Sequence, residues 1–391
     1  MRPLVLGTLL LCLSPAGQSW PANAYAGDGQ GPSAATRESC GLSPADLQRI
    51  DAPVKRFMAR YDVPGLSLAV AKDRRLVFAK GYGYADKERQ APVRTSHLFR
   101  IASMSKPITS VAIFTLIEHK KLSLDEKVFG PRGILGDRYG LPKDFPQKGD
   151  VTVGQLLEHV GGGWPNDDTD PMFRRYDLGQ AELIRWTLPR YALANKPGEK
   201  YAYSNFGYLL LGRVIEQRSG MGYEAYVKQA VLRPAGITDM HVGGDSLAQR
   251  RPNEVVYYDR GDASYTVRVS RMDAHGGWIA RPIDLVRLLV RLDGSPAKPG
   301  LLKPASIAAM VAPSAANKGY AKGWSVNAAH NWWHNGSLPG TYSIMVRAQN
   351  GFCWAIVMNQ RRLEDAFARD VDQLGWIITR SVVSWPADDL F

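Results

Sequence analysis

The sequence predicts an α/β protein of the α+β kind: one antiparallel sheet assembled from both chain ends, flanked by terminal helices, with an inserted, mainly helical lobe. Three observations carry that expectation. Short apolar runs bounded by turn residues read as strands at 65–84 and again after 320. Segments with helical apolar spacing lie near both ends, at 44–61 and 364–383. Between them, over about 101–319, helical patterns alternate with clusters of Gly, Pro and Asp. Two distant sets of strands can bury their apolar faces in one shared sheet with helices layered on it.

Along the chain, "PADLQRIDAPVKRFMARY" (44–61) is helical, with Pro53 expected to kink or divide it, because a mid-helix proline removes a hydrogen bond and crowds the preceding turn. "GLSLAVAK" and "RLVFAKGYGY" form a hairpin turning through Asp73 and Arg74. A mostly apolar helix starts near residue 103. "TVGQLLEH", "AELIRWTL", "SNFGYLLLGRVIEQRSG" and "PIDLVRLLVRL" supply the helices of the lobe. After 320, "GYAKGWSV", "NWWHNG", "TYSIMVRAQ" and "FCWAIVMNQ" read as strands, the last two joined across Asn350-Gly351, a strong hairpin signal.

The N-terminus has a different signature. Arg2, the apolar run "PLVLGTLLLCL" and small residues at Ala24 and Ala26 read as a secretory signal over 1–26, cut after Ala26, with Ala16 and Ala24 as alternatives. The run is too short to span a bilayer, and no other segment is long and apolar enough. The expectation is therefore a periplasmic or secreted protein without a transmembrane anchor. Residues 27–43 read as a flexible leader and 44–391 as the folded domain, its sheet parts at about 44–100 and 320–391. Cys12 would leave with the signal. Cys40 and Cys353 could pair in an oxidising compartment or stay as two thiols. The net charge of +12 favours anionic surroundings such as wall polymers or carboxylate substrates. No dense basic run or recognition motif speaks for nucleic acid.

The chemistry concentrates in "FRIASMSKPITSVAIFTLIEH". Ser103 and Lys106 lie nearly one helical turn apart and share a face. Pro107 is tolerable only in a first turn, which places Ser103 at the helix start, where unpaired N–H groups favour negative charge. A serine hydroxyl needs a base, and a lysine held neutral by burial can serve. The spacing alone is weak: about one or two such matches arise by chance in a chain this long, and Ser295 with Lys298 is a second. Support comes from Tyr203, Ser204 and Asn205 directly before an apolar helix, and from His334, Asn335 and Gly336 at a strand end.

With these segments in this order, the chain resembles the serine β-lactamase and penicillin-binding protein superfamily. Within it the likeness is to the class C β-lactamase-like group, which includes D,D-carboxypeptidases, D-aminopeptidases and esterases. It extends over about 44–380 and takes in "VTVGQLLEHVGG", "GMGYEAYVKQAVLRPAGITDM", "HGGWIARPIDLVRLL" and "HNGSLPGTYS". The resemblance implies that Ser103 is the acylated nucleophile, Lys106 the first-motif lysine and Tyr203 the proton shuttle. It gives Asn205 the task of orienting Lys106 and substrate, and makes His334, Asn335 and Gly336 the substrate-binding third motif. The amides of Ser103 and Ser337 would form an oxyanion hole. Whether Lys106 or Tyr203 takes the serine proton stays open.

One departure matters. β-Lactamases of the group usually carry Lys-Thr-Gly where this chain has His-Asn-Gly, and a neutral imidazole anchors a carboxylate less well than a lysine. The expectation is an exported serine hydrolase of esterase or D,D-peptidase type. Its substrate would be a small ester, a D-amino-acid peptide or a β-lactam, and it would need no metal or organic cofactor. The alternatives are a β-lactamase and a non-catalytic sensor or wall-peptide binder.

Other patterns are set aside. Gly244 to Leu247 spell the tetrapeptide of another hydrolase family, but the D-x-x-H pair which that family needs is missing. His330 and His334 lack the glutamate of a zinc protease and, on a strand, would stand about 13 Å apart. His159 and His275 read as structural, and Trp164, Trp278, Trp332 and Tyr342 as core residues.

Overall fold

Ser43 opens the first helix. Its hydroxyl oxygen accepts the Asp46 N–H at 3.1 Å and caps helix α1 (Pro44–Tyr61), with Pro44 at the first helical position. The structure is a computed structural model, described here for residues 41–140, 146–293 and 300–391. The expected signal, most of the leader, Cys40 and the Ser295–Lys298 match lie outside the described residues. Leu42, assigned to the leader, is buried with the terminal-helix core. α1 runs unbroken through Pro53, contrary to expectation. The carbonyl that Pro53 leaves without an N–H partner is that of Arg49, and Ser381 Oγ donates to it at 3.5 Å from the last helix.

The elements follow as β1 (Gly65–Lys72), β2 (Arg75–Asp86), β3 (Ala91–Pro92), β4 (Phe99–Arg100), α2 (Ser105–Glu118), α3 (Val153–Leu157) and α4 (Gln180–Arg190). Next come α5 (Asn205–Ser219), α6 (Tyr223–Val227), α7 (Arg233–Ala235), β5 (His241–Val242), β6 (Trp278–Ala280), α8 (Pro282–Asp293) and α9 (Pro304–Val311). The chain ends with β7 (Ser325–Val326), β8 (Trp332–Leu338), β9 (Thr341–Arg347), β10 (Phe352–Met358) and α10 (Asp365–Ser381).

The main sheet has the order β3-β2-β1-β10-β9-β8-β7. The first long strand lies beside the last: β1 pairs antiparallel with β10, Leu66 opposite Met358 and Lys72 opposite Phe352. The β1–β2 turn places Asp73 and Arg74 at φ 48° and 66°, the left-handed pair that matches strand twist. Leu66, Leu68, Val70, Ile344, Trp354 and Ile356 face α1 and α10. The other face, with Ala69, Ala71, Ala355 and Val357, joins the core of the helical lobe.

Two features depart from the expected division. α8 lies in sequence within the lobe, yet it packs on the sheet against β1, β2 and β10. The small side chains of that sheet face give it room. A second sheet, β4-β6-β5, was not anticipated, because its strands have only two or three residues. In "GYAKGWSV" only Ser325–Val326 is strand. Residues 320–324 turn tightly instead, with Ala321 N–H bonded to Trp324 O at 2.8 Å and Gly323 at φ +85°. Cys353 is a buried free thiol whose pKa burial pushes up to about 12. No helix among the described residues is long and apolar enough to cross a membrane.

Candidate active site

The serine is held by clamps on the residues before it. Thr341 Oγ1 donates to Arg100 O at 2.6 Å and Ser343 Oγ to Ile101 O at 2.8 Å, fastening the end of β4 to β9. Ile101 N–H donates to Trp278 O at 3.0 Å on the other side. Ala102 then takes φ +46°, a left-handed conformation that costs a residue with a β-carbon about 1–3 kcal/mol. It is fully buried, and its carbonyl accepts Ser105 Oγ at 2.7 Å. A 3-10 turn, Ala102–Met104, leads into α2, with Pro107 in the first helical turn as expected. Between Ile101 and Leu116, Ser103 alone is not buried.

Lys106 is fully buried. Its Nζ lies 3.0 Å from Ser103 Oγ, 2.8 Å from Asn205 Oδ1 and 2.9 Å from His275 O. The last two atoms can only accept. A neutral amine has two N–H bonds and one lone pair; with both hydrogens given to those carbonyl oxygens, the lone pair faces the serine hydroxyl. Burial pushes the Lys106 pKa well below the ordinary lysine range, and the charge of Asp170 works weakly the other way.

Asn205 is fixed from behind. Its Nδ2 donates to Asn166 Oδ1 at 2.7 Å and to Asp170 Oδ2 at 2.8 Å, which turns its carbonyl towards Lys106. Asp170 also accepts the Met172 N–H at 2.9 Å, and burial raises its pKa to about 6. Burial raises the Tyr203 pKa, so it stays a phenol. The Tyr203 ring lies beneath Lys106 Nζ, 4.7 Å from the centroid.

β8 forms the opposite wall. His334, Gly336 and Leu338 alternate inward, Asn335 and Ser337 outward. A β-carbon on Gly336 would stand 2.2 Å from Ile101 O and 2.9 Å from Ser103 N, so only glycine lets this strand lie against the serine turn. Ser337 lines a cavity of about 60 Å³ together with Ser103, Asn166, Phe173, Asn205 and Leu338.

Ser103, Lys106, Tyr203, Asn205, Gly336 and Ser337 therefore converge. Asn335 does not line that cavity, and its Nδ2 donates to Tyr342 Oη at 3.1 Å. His334 lies behind Tyr203 with both nitrogens engaged, Nε2 with Tyr320 Oη at 3.2 Å and Nδ1 with Asn335 O at 2.6 Å. Burial lowers its pKa to about 3.

Sequence reading missed Asn166, Asp170, Tyr320 and Arg361. The first two sit in an irregular polar loop and Tyr320 in a tight turn, so no periodicity marks them. Arg361 follows β10 and places NH1 3.4 Å from Ser337 Oγ. His275, read as structural, contributes its carbonyl to Lys106, and His159 stacks on Tyr203 with centroids 4.2 Å apart. Trp164, Trp278, Trp332 and Tyr342 are core residues. Leu247 of the other hydrolase tetrapeptide is exposed, and His330 sits in a turn at φ +55°. No group of three or more His, Cys, Asp or Glu among the described residues is placed to hold a metal ion.

Known proteins resemble the chain in sequence and in fold. The profile of the family described as Beta-lactamase matches residues 50–374. Penicillin-binding protein 4* of Bacillus subtilis (strain 168) is 33% identical over 202 residues, covering 49% of this chain and 42% of that protein. Protein flp of Staphylococcus aureus (strain NCTC 8325 / PS 47) is 27% identical over 191 residues, 49% of this chain and 37% of that one. The chain thus spans about two fifths of the length of these curated relatives. Among solved structures, the D-amino acid amidase of Ochrobactrum anthropi SV3 complexed with L-phenylalanine amide aligns at TM-score 0.70 and 23% identity, over 86% of this chain and 99% of that one. The octameric penicillin-binding protein homologue of Pyrococcus abyssi aligns at TM-score 0.67 and 24% identity, over 86% and 79%. At these identities the structures establish the fold.

Proposed function

The chain belongs to the beta-lactamase family, and from that premise we propose that it is an exported hydrolase of esterase or D,D-peptidase type, acting through an acyl-enzyme on Ser103. The observation that carries this reading is the Lys106 amine 3.0 Å from the serine hydroxyl, with its other two partners able only to accept. Ser103 Oγ attacks the substrate carbonyl while Lys106 Nζ takes its proton. The N–H groups of Ser103 and Ser337 receive the oxyanion. Tyr203, a phenol rather than a phenolate, hands its proton to the leaving group and recovers one from Lys106. Asn205 keeps Lys106 aimed and meets the substrate amide. Water then attacks the Ser103 ester, releasing the acid and restoring the hydroxyl.

Esters and amides rank above β-lactams because the third motif offers a neutral imidazole with no free N–H. The likeness to a D-amino acid amidase adds D-amino acid amides to the substrates worth trying. A panel of a p-nitrophenyl ester, a D-Ala-D-Ala peptide, a D-amino acid amide and a chromogenic cephalosporin should show turnover falling to the cephalosporin last. Fluorophosphonate labelling with peptide mapping should place the label on Ser103 and lose it in Ser103→Ala. Label elsewhere, or label persisting in that variant, overturns the reading. The secretory signal supports export, and the mature product should begin at Gly27.

A further inference from the structure

Behind Tyr203 lies a row of buried side chains that the proposed reaction does not use: His159, Tyr320 and His334. Its two ends are chemically fixed. The Ser204 N–H can only donate, and it donates to His159 Nδ1 at 3.1 Å. The Asn335 carbonyl can only accept, and His334 Nδ1 lies 2.6 Å from it. His159 Nδ1 therefore carries a lone pair and His334 Nδ1 a hydrogen. For neutral rings the remaining positions follow. His159 Nε2–H donates to Tyr320 Oη at 3.1 Å, and Tyr320 O–H donates to His334 Nε2 at 3.2 Å. Every bond then points one way, and a proton added to either ring breaks the pattern.

We propose that Tyr320 and His159 are positioning residues which act through His334, the one-way hydrogen-bond chain pinning that ring as a neutral wall behind Tyr203 and leaving it no N–H for a substrate carboxylate. His159 stacks on Tyr203, and the His334 ring centroid stands 6.3 Å from that of Tyr203, so the chain sets where the phenol lies relative to Ser103. Burial disfavours a cation on either histidine, in keeping with neutral rings. Tyr208, whose hydroxyl donates to Leu157 O at 2.8 Å, stands beside Tyr320 as a competing acceptor. The inference rests on the reading of Ser103 and Tyr203 as reacting groups.

Imidazole ¹⁵N NMR of the full chain tests the bonding without any substrate. At neutral pH it should show His159 as the Nε2–H tautomer and His334 as the Nδ1–H tautomer, with both signatures shifting in Tyr320→Phe. Opposite tautomers, or signals unmoved in Tyr320→Phe, overturn the chain. The kinetic arm follows Ser103 labelling by fluorophosphonate. Tyr320→Phe and His159→Leu should slow it about tenfold or more. His159→Gln, whose amide can accept from Ser204 and donate to Tyr320, should recover most of the loss. His334→Lys should slow turnover of the ester and of a carboxylate-bearing peptide alike. If it instead spares the ester and lowers KM for the peptide, His334 is a substrate anchor and the proposal fails. Should no substrate be turned over, the tautomers still decide the bonding, so the two readings fail separately.

Discussion

The two walls of the site are equally buried and electrostatically opposite. On the α2 wall, Lys106 and Asp170 are both hidden from water, yet Asn205 bridges them and each retains polar partners. On the β8 wall, His334 is as deeply buried, and its partners are a phenol and a carbonyl. Burial alone therefore does not set the state of a titratable group. The nearest compensating dipoles and charges decide whether it can change protonation during a reaction. The proposed reaction asks the α2 wall to move a proton and the β8 wall to stay as it is.

Removing the amine should break that contrast most severely. Lys106→Met keeps much of the buried volume and removes the amine that stands beside Ser103, so acylation should fall by about 10²–10⁴-fold while the fold persists by circular dichroism. A loss of less than tenfold would shift the base role to Tyr203. Gly336→Ala comes next, because it forces the two walls apart: its methyl would meet Ile101 O. The expected outcome is destabilisation by about 1–3 kcal/mol in chemical denaturation, together with loss of Ser103 labelling.

Asp170 sharpens the comparison through pH. Its folded pKa is raised to about 6 from an ordinary 3.8, so the folded state holds the proton more tightly than the unfolded chain. Unfolding free energy should therefore fall as pH rises from about 4 to 6, by about 3 kcal/mol at most, and then level off. Activity should run the other way, rising through pH 6 as the carboxylate forms and fixes Asn205. Asp170→Asn should flatten both profiles, measured by denaturant titration and by labelling rate. Ser381→Ala should have the smallest effect, about 0.5–1 kcal/mol, by leaving the Arg49 carbonyl without its donor, and the site should not notice.

Much of this architecture was legible in the sequence, and the gaps have physical causes. The β1–β2 hairpin and the three strands after residue 330 announce themselves by short apolar runs between turn residues, because each must fill one place in a sheet. Ser103 and Lys106 stood out by their helical spacing and Pro107, but that spacing was weak alone and needed the Tyr203 and His334 segments and the family resemblance beside it. The home of α8 was not legible, since its apolar stripe reads the same against a sheet as against other helices. Pro53 misled because its vacated carbonyl is met by Ser381, more than three hundred residues away. Asn166 and Asp170 gave no signal, as irregular loops carry no period. His334 was read as a neutral imidazole, and its deep burial agrees with that reading. Its bonded partners and the outward turn of Asn335 depend on strand alternation and on Tyr320, which only coordinates reveal.

Everything on the α2 wall turns on Lys106 holding a lone pair towards Ser103. The direct measurement is an NMR titration of the lysine ¹⁵Nζ in the full chain, with Lys106→Met used to assign its signal. The midpoint should lie well below that of the other lysines, with the amine already neutral where the enzyme works. An ammonium that persists into the ordinary lysine range would contradict the account.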